Sequence, residues 1–315
     1  MGAYLARRVL MVIPVILLVS VIIFVIMRLI PGDPVDVMYG LEGVSEEARA
    51  ARVRQLGLDQ PLPLQYIHWL GRSVTGDWGV SYVSGQPVFD VIVQKLPATY
   101  MLAVTSLILG TLIAIPLGVI AAVKRNRGLD YLAMIAALVG ISIPNFWMAI
   151  MLILVFSLRL GWLPSIGFVS PLEAPLRSLR HVLLPATALG TTLTGTFTRM
   201  VRSSLLEVLG EDYVSMARAK GLDERRVIVT HALKNAILPV ITVAGMWFGF
   251  LLAGSVVIET IFSWPGVGQL LVNSILSRDY PTVQYVVLLV SVTFVLINLL
   301  VDVAYTWLDP RIRLS

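Results

Sequence analysis

Cysteine is absent from this 315-residue chain, and histidine occurs only three times, at His68, His181 and His231. Without cysteine the chain has no disulfide framework, no thiol nucleophile and no thiolate metal site. The histidines lie outside the long apolar runs, and the motifs HExxH, GxSxG and GxxxxGK[ST] do not occur. The sequence therefore predicts that this chain is not an enzyme and that it holds no metal or cofactor of its own.

Charge is also scarce. Only 14% of the residues are charged and 57% are hydrophobic. Soluble domains average about 25% charged residues and about 45–50% apolar residues. A soluble fold of this length cannot bury so much apolar surface. The net charge of +5 does not indicate nucleic acid as a partner, because basic residues in membrane proteins normally mark cytoplasmic loops beside anionic lipid.

The long apolar runs predict an all-α polytopic membrane protein. Six windows are long enough to cross a bilayer as helices, at about 9–30, 99–123, 131–157, 182–201, 236–258 and 283–307. The first is too long for the apolar part of a signal peptide, and no small-x-small cleavage pattern follows it. We therefore expect an uncleaved N-terminal anchor.

Basic residues indicate which side of the membrane each connection faces. With the N-terminus inside, the inner segments carry Arg7, Arg8, Lys124, Arg125, Arg127, Arg202, Arg218, Lys220, Arg225, Arg226, Lys234, Arg311 and Arg313. The two short outer loops carry only Arg159, Arg177, Arg180 and Arg278. Since basic residues accumulate in short cytoplasmic connections, six spans with both termini in the cytoplasm are predicted.

The connection at 31–98 is predicted to form a small extracytoplasmic region. The run PGDP at 31–34 should stop the first helix, because proline cannot continue a helical hydrogen-bond ladder. Ser45 is expected to cap a short polar helix with two glutamates in its first turn. The run LDQP at 58–61 should end that helix, and an amphipathic turn or two should follow at 65–70. The region is either a lid on the outer membrane surface or a contact surface for a ligand-delivery protein.

Threonine recurs on one face of the fourth window, at Thr187, Thr191, Thr194 and Thr198. A threonine hydroxyl inside a span commonly bonds the carbonyl four residues earlier, or a neighbouring helix. The alternative is that this face lines a polar path for a solute.

Two further windows carry patterns of this kind. Pro144 is expected to bend the third span, and the freed carbonyl must then be satisfied by a neighbouring helix or by a cavity. Asn145 and Phe146 are therefore also candidates for a translocation path. In the fifth window a small-residue face suited to close helix packing is formed by Gly245, Gly249 and Ala253.

A long polar segment, 207–239, separates the fourth and fifth spans. Acidic residues open it and basic residues follow, which suits the dipole of a helix over about 205–220. Gly221 stands where a helix end needs a left-handed residue, and Asp223 can cap a second short helix to about 235. This pattern of two helices joined by a glycine turn predicts a rigid cytoplasmic element that inserts into a groove on a partner protein. A lipid-surface helix or a plain linker are the alternatives, although the balance of acids and bases disfavours attraction to lipid.

The same segment carries a family resemblance. Its runs ARAKGLDERR at 217–226 and HALKNAILP at 231–239 resemble the cytoplasmic coupling loop of binding-protein-dependent ABC importer permeases, above all the subfamily for dipeptides, oligopeptides, glutathione and nickel. Other matching motifs extend from the first span to the tail: LIPGDP at 29–34, LGLDQP at 56–61, GDWG at 76–79, LPAT at 96–99, IPNF at 143–146, GWLP at 161–164, FSWPGVG at 262–268, RDYP at 278–281 and DPR at 309–311.

The resemblance implies a type I ABC importer fold in a bacterial inner membrane, with this chain as the first of two paired permeases. It implies a second similar permease, two ATPase subunits that hold ATP and Mg, a periplasmic or lipid-anchored binding protein, and transport by alternating access. It assigns contact with the ATPases to Ala217, Arg218, Lys220, Gly221, Leu222, Asp223, Glu224, Arg225, Arg226 and His231.

The implied domain organisation has four parts. They are an N-terminal helix at 1–30, the extracytoplasmic region at 31–98, a transport core at 99–307 with its coupling segment at 202–235, and a tail at 308–315. Small peptides are the expected solute, with glutathione or nickel as alternatives. From other classes, an ion-coupled secondary transporter or a membrane scaffold remains open, although the spans show no coupling-ion site.

One departure from the family limits what can be transferred. The wider pattern is Glu-Ala-Ala, three residues, Gly, nine residues and Ile-x-Leu-Pro. Aligned on Gly221, the chain matches strictly only at Ala217, Gly221 and Leu233, and a proline follows later, at Pro239. Ser215 replaces the first glutamate, so the acidic contact which that glutamate makes elsewhere is not expected here.

Overall fold

The computed structural model describes residues 2–29, 45–55 and 57–308. The predicted stop at 31–34 and the tail after 308 lie outside these residues. Within them the regular structure is helical, apart from one isolated bridge between Val80 and Pro87. The helices are α1 Gly2–Leu29, α2 Glu46–Gln55, α3 Leu62–Thr75, α4 Val88–Val123, α5 Gly128–Ser142, α6 Asn145–Arg159, α7 Pro175–Leu209, α8 Asp212–Ala219, α9 Glu224–Ala236, α10 Leu238–Gly254, α11 Val256–Ile261, α12 Val267–Leu276 and α13 Tyr280–Leu308.

Helices cover the described residues of all six predicted windows, apart from short breaks at 143–144, 237 and 255, so the all-α polytopic prediction is confirmed. Three helices are long and apolar enough to cross a bilayer unaided: Leu10–Leu29 within α1, the whole of α4, and Tyr280–Val301 within α13. Two bent pairs, α5 with α6 and α9 with α10, satisfy the same test jointly, which gives up to five spans in the described residues. The window 182–201 lies in α7, where repeated threonines lower the hydropathy. Twelve of the twenty residues in this window are buried, so this part of α7 is enclosed mainly by protein.

The third predicted span is broken at Pro144. Helix α5 ends at Ser142, α6 begins at Asn145, and the two axes differ by 104°. Pro144 adopts an extended conformation, with φ −61° and ψ 135°, and it has no N–H with which to continue the ladder. The bend predicted at Pro144 is confirmed, and the window 131–157 lies in this bent pair of helices.

Two other element predictions need correction. The second span belongs to a helix that begins at Val88 rather than near 99. The amphipathic turn expected at 65–70 is the fourteen-residue helix α3, which Pro61 precedes and left-handed Gly76 ends. Both predictions set boundaries by apolarity alone, and helical hydrogen bonding continues beyond the apolar run in each case.

The chain divides into two compact units, and the first comprises the described residues of Met1–Thr99 with Pro265–Leu296. Ser45 caps α2 as predicted, since the Ala48 N–H donates to its Oγ over 3.3 Å. The apolar core includes stacked Trp78 and Tyr285 rings, whose centroids lie 5.0 Å apart.

The buried Asp279 carboxylate joins the start of α13 to the loop before α4, within the first unit. It accepts hydrogen bonds from Ser81 Oγ at 2.5 Å, Tyr82 N at 3.0 Å and Thr282 Oγ1 at 2.7 Å. These donors satisfy a charge that would be costly to bury alone.

The second unit comprises the described residues of Tyr100–Trp264 with Ile297–Ser315, and α7 packs against α5, α6 and α10 within it. The close approach depends on glycine. A Cβ on Gly195 would overlap the carbonyl oxygen of Ala137, and one on Gly190 would lie 2.9 Å from the carbonyl oxygen of Ser106. Backbone-to-backbone contact of this kind is typical of helix packing in membranes.

Candidate coupling segment

The polar segment between the fourth and fifth windows folds into the end of α7, α8 and α9. The predicted single helix over 205–220 is wrong, because the chain breaks between α7 and α8. Gly210 ends α7 and Glu211 takes an extended conformation, with φ −72° and ψ 147°. Glycine is a poor helix former, and Asp212 in the next first turn stabilises a new helix start.

The turn between α8 and α9 is as predicted. Gly221 has φ +77°, and a Cβ built on it would meet nothing within 4 Å. A side chain here would therefore be opposed by backbone strain and not by crowding. The Arg225 N–H donates to Asp223 Oδ2 over 3.1 Å, so the predicted cap is confirmed.

The inner side of the segment is apolar. One cluster is formed by Ala122, Leu205, Val214, Ala217, Val227, Ala232 and Ala236, with Leu222 packed against it. Ala217 and Leu222, two of the predicted coupling residues, thus pack inward. They attach α8 and the turn that follows it to the ends of α4 and α7.

Arg218 and Glu224 pair with each other across the Gly221 turn. Arg218 Nε donates to Glu224 Oε2 at 3.1 Å, and Nη2 donates to Oε1 at 2.9 Å. The carboxylate holds the pKa of the Arg218 guanidinium above its ordinary value. Both side chains are exposed, so we expect the pair to shape the turn more than to add stability.

Other predicted charges face solvent. Lys220, Arg225 and Arg226 are exposed. The large apolar side chains of Met216 and Val229 are exposed as well, at 58% and 55%. We call these five residues the exposed set.

Polar contacts that were not predicted join α8 to α9. Asn235 Nδ2 donates to Tyr213 Oη over 2.8 Å, and the Tyr213 hydroxyl lies 3.5 Å from the carbonyl oxygen of half-buried His231. The partners are 18 and 22 residues apart, and no local pattern in the sequence relates them. His231 therefore contributes its backbone to the segment.

The threonine face lies beside a cavity of about 220 Å³ in the second unit. The hydroxyls of Thr187, Thr191, Thr194 and Thr198 each donate to the carbonyl four residues earlier, at 2.7–2.9 Å. Because the hydroxyls bond within their own helix, the cavity wall is mainly carbon.

The remaining predicted residues lie at helix contacts and at the break. Asn145 Oδ1 accepts a hydrogen bond from Thr192 Oγ1 at 2.9 Å, and Phe146 is half exposed. Gly245 approaches Val301 so closely that a Cβ would overlap a methyl group. Gly249 is buried in α10, and Ala253 lies in the same helix.

The described residues form helices, several of them apolar and long enough to cross a bilayer, and a charged segment turns at Gly221 between two predicted spans. This architecture is the one expected for a membrane transport permease. The chain belongs to the family described as binding-protein-dependent transport system inner membrane component, whose model matches residues 114–314. A second model, for the N-terminal part of such components, matches residues 1–103. The family is that of ABC importer permeases, which are multi-pass inner-membrane subunits and not catalytic ones.

Curated relatives and solved structures agree with this assignment. The glutathione transport system permease proteins GsiC of Escherichia coli (strain K12) and of Shigella dysenteriae serotype 1 (strain Sd197) are each 44% identical over 310 residues, 98% of both chains. A chain of the inward-facing MetNI methionine ABC transporter matches with a TM-score of 0.60 and 19% identity, covering 71% of this chain and 98% of that one. The fold is therefore the type I ABC importer fold.

Proposed function

We propose that the solute carried through this ABC importer permease is glutathione or another small peptide. The observation that carries the proposal is the 44% identity, over 98% of both chains, with permeases named for glutathione transport. Among the solutes that the sequence leaves open, glutathione is therefore the first candidate, ahead of other peptides and nickel.

The proposed assembly pairs this chain with a second, similar permease above two ATPase subunits, and a binding protein delivers solute to the outer side. The ATPases would dock on α8 and α9, which we propose to be the coupling segment. The packing of Ala217 and Leu222 against the ends of α4 and α7 supports this. A displacement of the segment would be passed to both helices, because close-packed apolar contacts transmit strain.

The exposed set suggests which residues meet the ATPases. Arg225 and Arg226 are exposed at the start of α9, whereas Arg218 is already paired with Glu224. We therefore assign docking to Arg225 and Arg226, together with Lys220, and we assign a shaping role to Arg218.

Uptake of radiolabelled glutathione tests the solute. The chain is expressed with its partner subunits in cells that lack their own glutathione import. We expect ATP-dependent uptake that excess unlabelled glutathione abolishes and that excess nickel leaves unchanged. Nickel uptake without glutathione uptake would contradict the proposed solute, and uptake that persists without any ATPase subunit would contradict the importer mechanism.

Retention of the ATPase subunits on the affinity-purified chain tests docking. The double substitution Arg225→Glu with Arg226→Glu is expected to reduce retention by about tenfold, since reversed charges oppose a complementary surface. Lys124→Glu, at an exposed position in the turn after α4, is the matched control and should retain both subunits. Equal retention in all three proteins would contradict the assignment.

A further inference from the structure

A cavity of about 390 Å³, lined by both polar and apolar groups, lies within the first unit. Its walls include Arg28 at the end of α1, Arg54 on α2, Trp69 and Arg72 on α3, and Gln284 on α13. A volume of this size is in the range of small-molecule sites, about 300–1,000 Å³.

Unpaired polar atoms gather in this cavity. Within 2–29, 45–55 and 57–308, the buried side-chain atoms without a hydrogen-bond partner are Gln60 Oε1, Trp69 Nε1, Tyr280 Oη and Gln284 Nε2. All four residues line the cavity, and Tyr280 and Gln284 are only 5% and 7% exposed. Buried polar groups are nearly always paired, so four such groups in one cavity indicate a missing partner.

The charge of the lining defines the chemistry of that partner. Among the described lining residues, Arg28, Arg54 and Arg72 face a single acid, Asp77, so this part of the lining carries a net charge of two positive units. Arg28 Nε is already bonded to Gln65 Oε1 at 3.0 Å. Neither Arg54 nor Arg72 has an ion-pair partner among the described residues. Trp69 Nε1 and Gln284 Nε2 are obligate donors, and the Tyr280 hydroxyl can donate.

We propose that this cavity binds a small ligand through an oxyanion group, either a carboxylate or a phosphate. Arg54 and Arg72 compensate its charge, and the donors of Trp69, Tyr280 and Gln284 bond its oxygens, since charge-assisted hydrogen bonds are the strong ones. The unpaired Gln60 oxygen accepts a donor of the same ligand. The inference does not depend on which solute the permease transports.

Two sources can supply such a group. A free solute can bring a carboxylate or phosphate from the aqueous side. A phospholipid can bring its headgroup phosphate, because α1 and α13, whose ends line the cavity, are long enough to cross a bilayer.

Binding measurements on the full-length protein, isolated with its accompanying subunits in dodecyl maltoside micelles, which contain no phosphate, separate the sources. Calorimetric titration with glutathione and with inorganic phosphate probes the free anion. Native mass spectrometry after addition of phosphatidylglycerol probes the lipid. Arg72→Gln and Gln284→Met remove one cation and one donor, and exposed Arg180→Gln in α7 is the control for charge. Thermal unfolding confirms that each variant is folded.

We expect saturable binding of at least one probe that weakens by about tenfold in Arg72→Gln and in Gln284→Met, and that is unchanged in Arg180→Gln. If binding of glutathione or phosphate weakens in these two variants, the ligand is a free solute. If only binding of phosphatidylglycerol weakens, the ligand is a lipid headgroup. Binding of no probe would overturn the site. Binding of every probe at parental strength in all three variants would also overturn it, and glutathione binding retained in this way would leave the proposed transport function standing.

Discussion

Arg202 and Asp130 form a two-point ion pair between α7 and α5. Arg202 Nε lies 2.6 Å from Asp130 Oδ1, and Nη2 lies 2.7 Å from Oδ2. The carboxylate is 3% exposed, and it also accepts the Asn126 N–H at 2.9 Å. One side chain thus fixes the turn between α4 and α5 and joins α5 to the helix that leads into the proposed coupling segment.

Asp130→Asn should destabilise the protein by about 2–3 kcal/mol, because removal of one partner leaves the other charge uncompensated. The value is below the roughly 3–5 kcal/mol typical of a fully buried pair, since Arg202 is a quarter exposed. The measurement is the thermal unfolding midpoint followed by tryptophan fluorescence. The double variant Asp130→Asn with Arg202→Gln should lose less stability than the two single variants lose in sum. Additive losses would contradict a direct ion pair.

Thr192→Val should weaken the attachment of the broken helix to α7. Its hydroxyl donates to Asn145 Oδ1, at the break between α5 and α6, so the variant leaves that oxygen unpaired at a cost of about 1–2 kcal/mol. Thr196→Val is a matched control, because the Thr196 hydroxyl donates only to the Thr192 carbonyl of its own helix. Equal unfolding midpoints for the two variants would show that the contact across the break adds no stability.

Features that depend on neighbouring residues were predictable from the sequence. The apolar windows, the bend at Pro144, the left-handed Gly221 and the Asp223 cap all follow from rules that operate over a few residues. The structure agrees with each of them. The break at Gly210 was missed because the charge order suited one longer helix.

Features that depend on tertiary contact were not predictable. Asp130 and Arg202 are 72 residues apart, and Asn145 and Thr192 are 47 apart. Their positions are set by how α5, α6 and α7 pack, which no local pattern reveals. The pairing of Arg218 with Glu224 was not predicted either, because it depends on the glycine turn that brings the two side chains together.

The packing glycines show the same limit. Gly245 and Gly249 could be predicted as packing residues because they repeat on one helix face. Gly190 and Gly195 were not, because they contact two different helices, at Ser106 of α4 and Ala137 of α5, and therefore follow no single period.

Gly245→Ala should destabilise α10 against α13 by about 1–3 kcal/mol, since the new methyl group would overlap the Val301 side chain. Val301→Ala in the same chain should recover part of that loss by making room. Gly128→Ala, where a Cβ meets nothing within 4 Å, is the control and should leave the unfolding midpoint within a degree or two of the parent. An uncompensated loss in the double variant would show that Val301 is not the obstacle.

Gly221→Val separates the shape of the proposed coupling segment from its charges. At φ +77° a β-branched residue is strained by about 1–2 kcal/mol, and open space around the Cβ position excludes crowding as a further cause. Gly221→Asn is the matched control, because asparagine tolerates the left-handed region. In proteoliposomes that contain the assembled transporter, we expect the valine variant to transport less solute per ATP hydrolysed, while the asparagine variant retains the parent ratio. An equal ratio of solute transported to ATP hydrolysed in the two variants would mean that the left-handed turn is not needed for coupling. In that case, movement of the proposed ATPase partners would be transmitted through the apolar contacts of Ala217 and Leu222 alone.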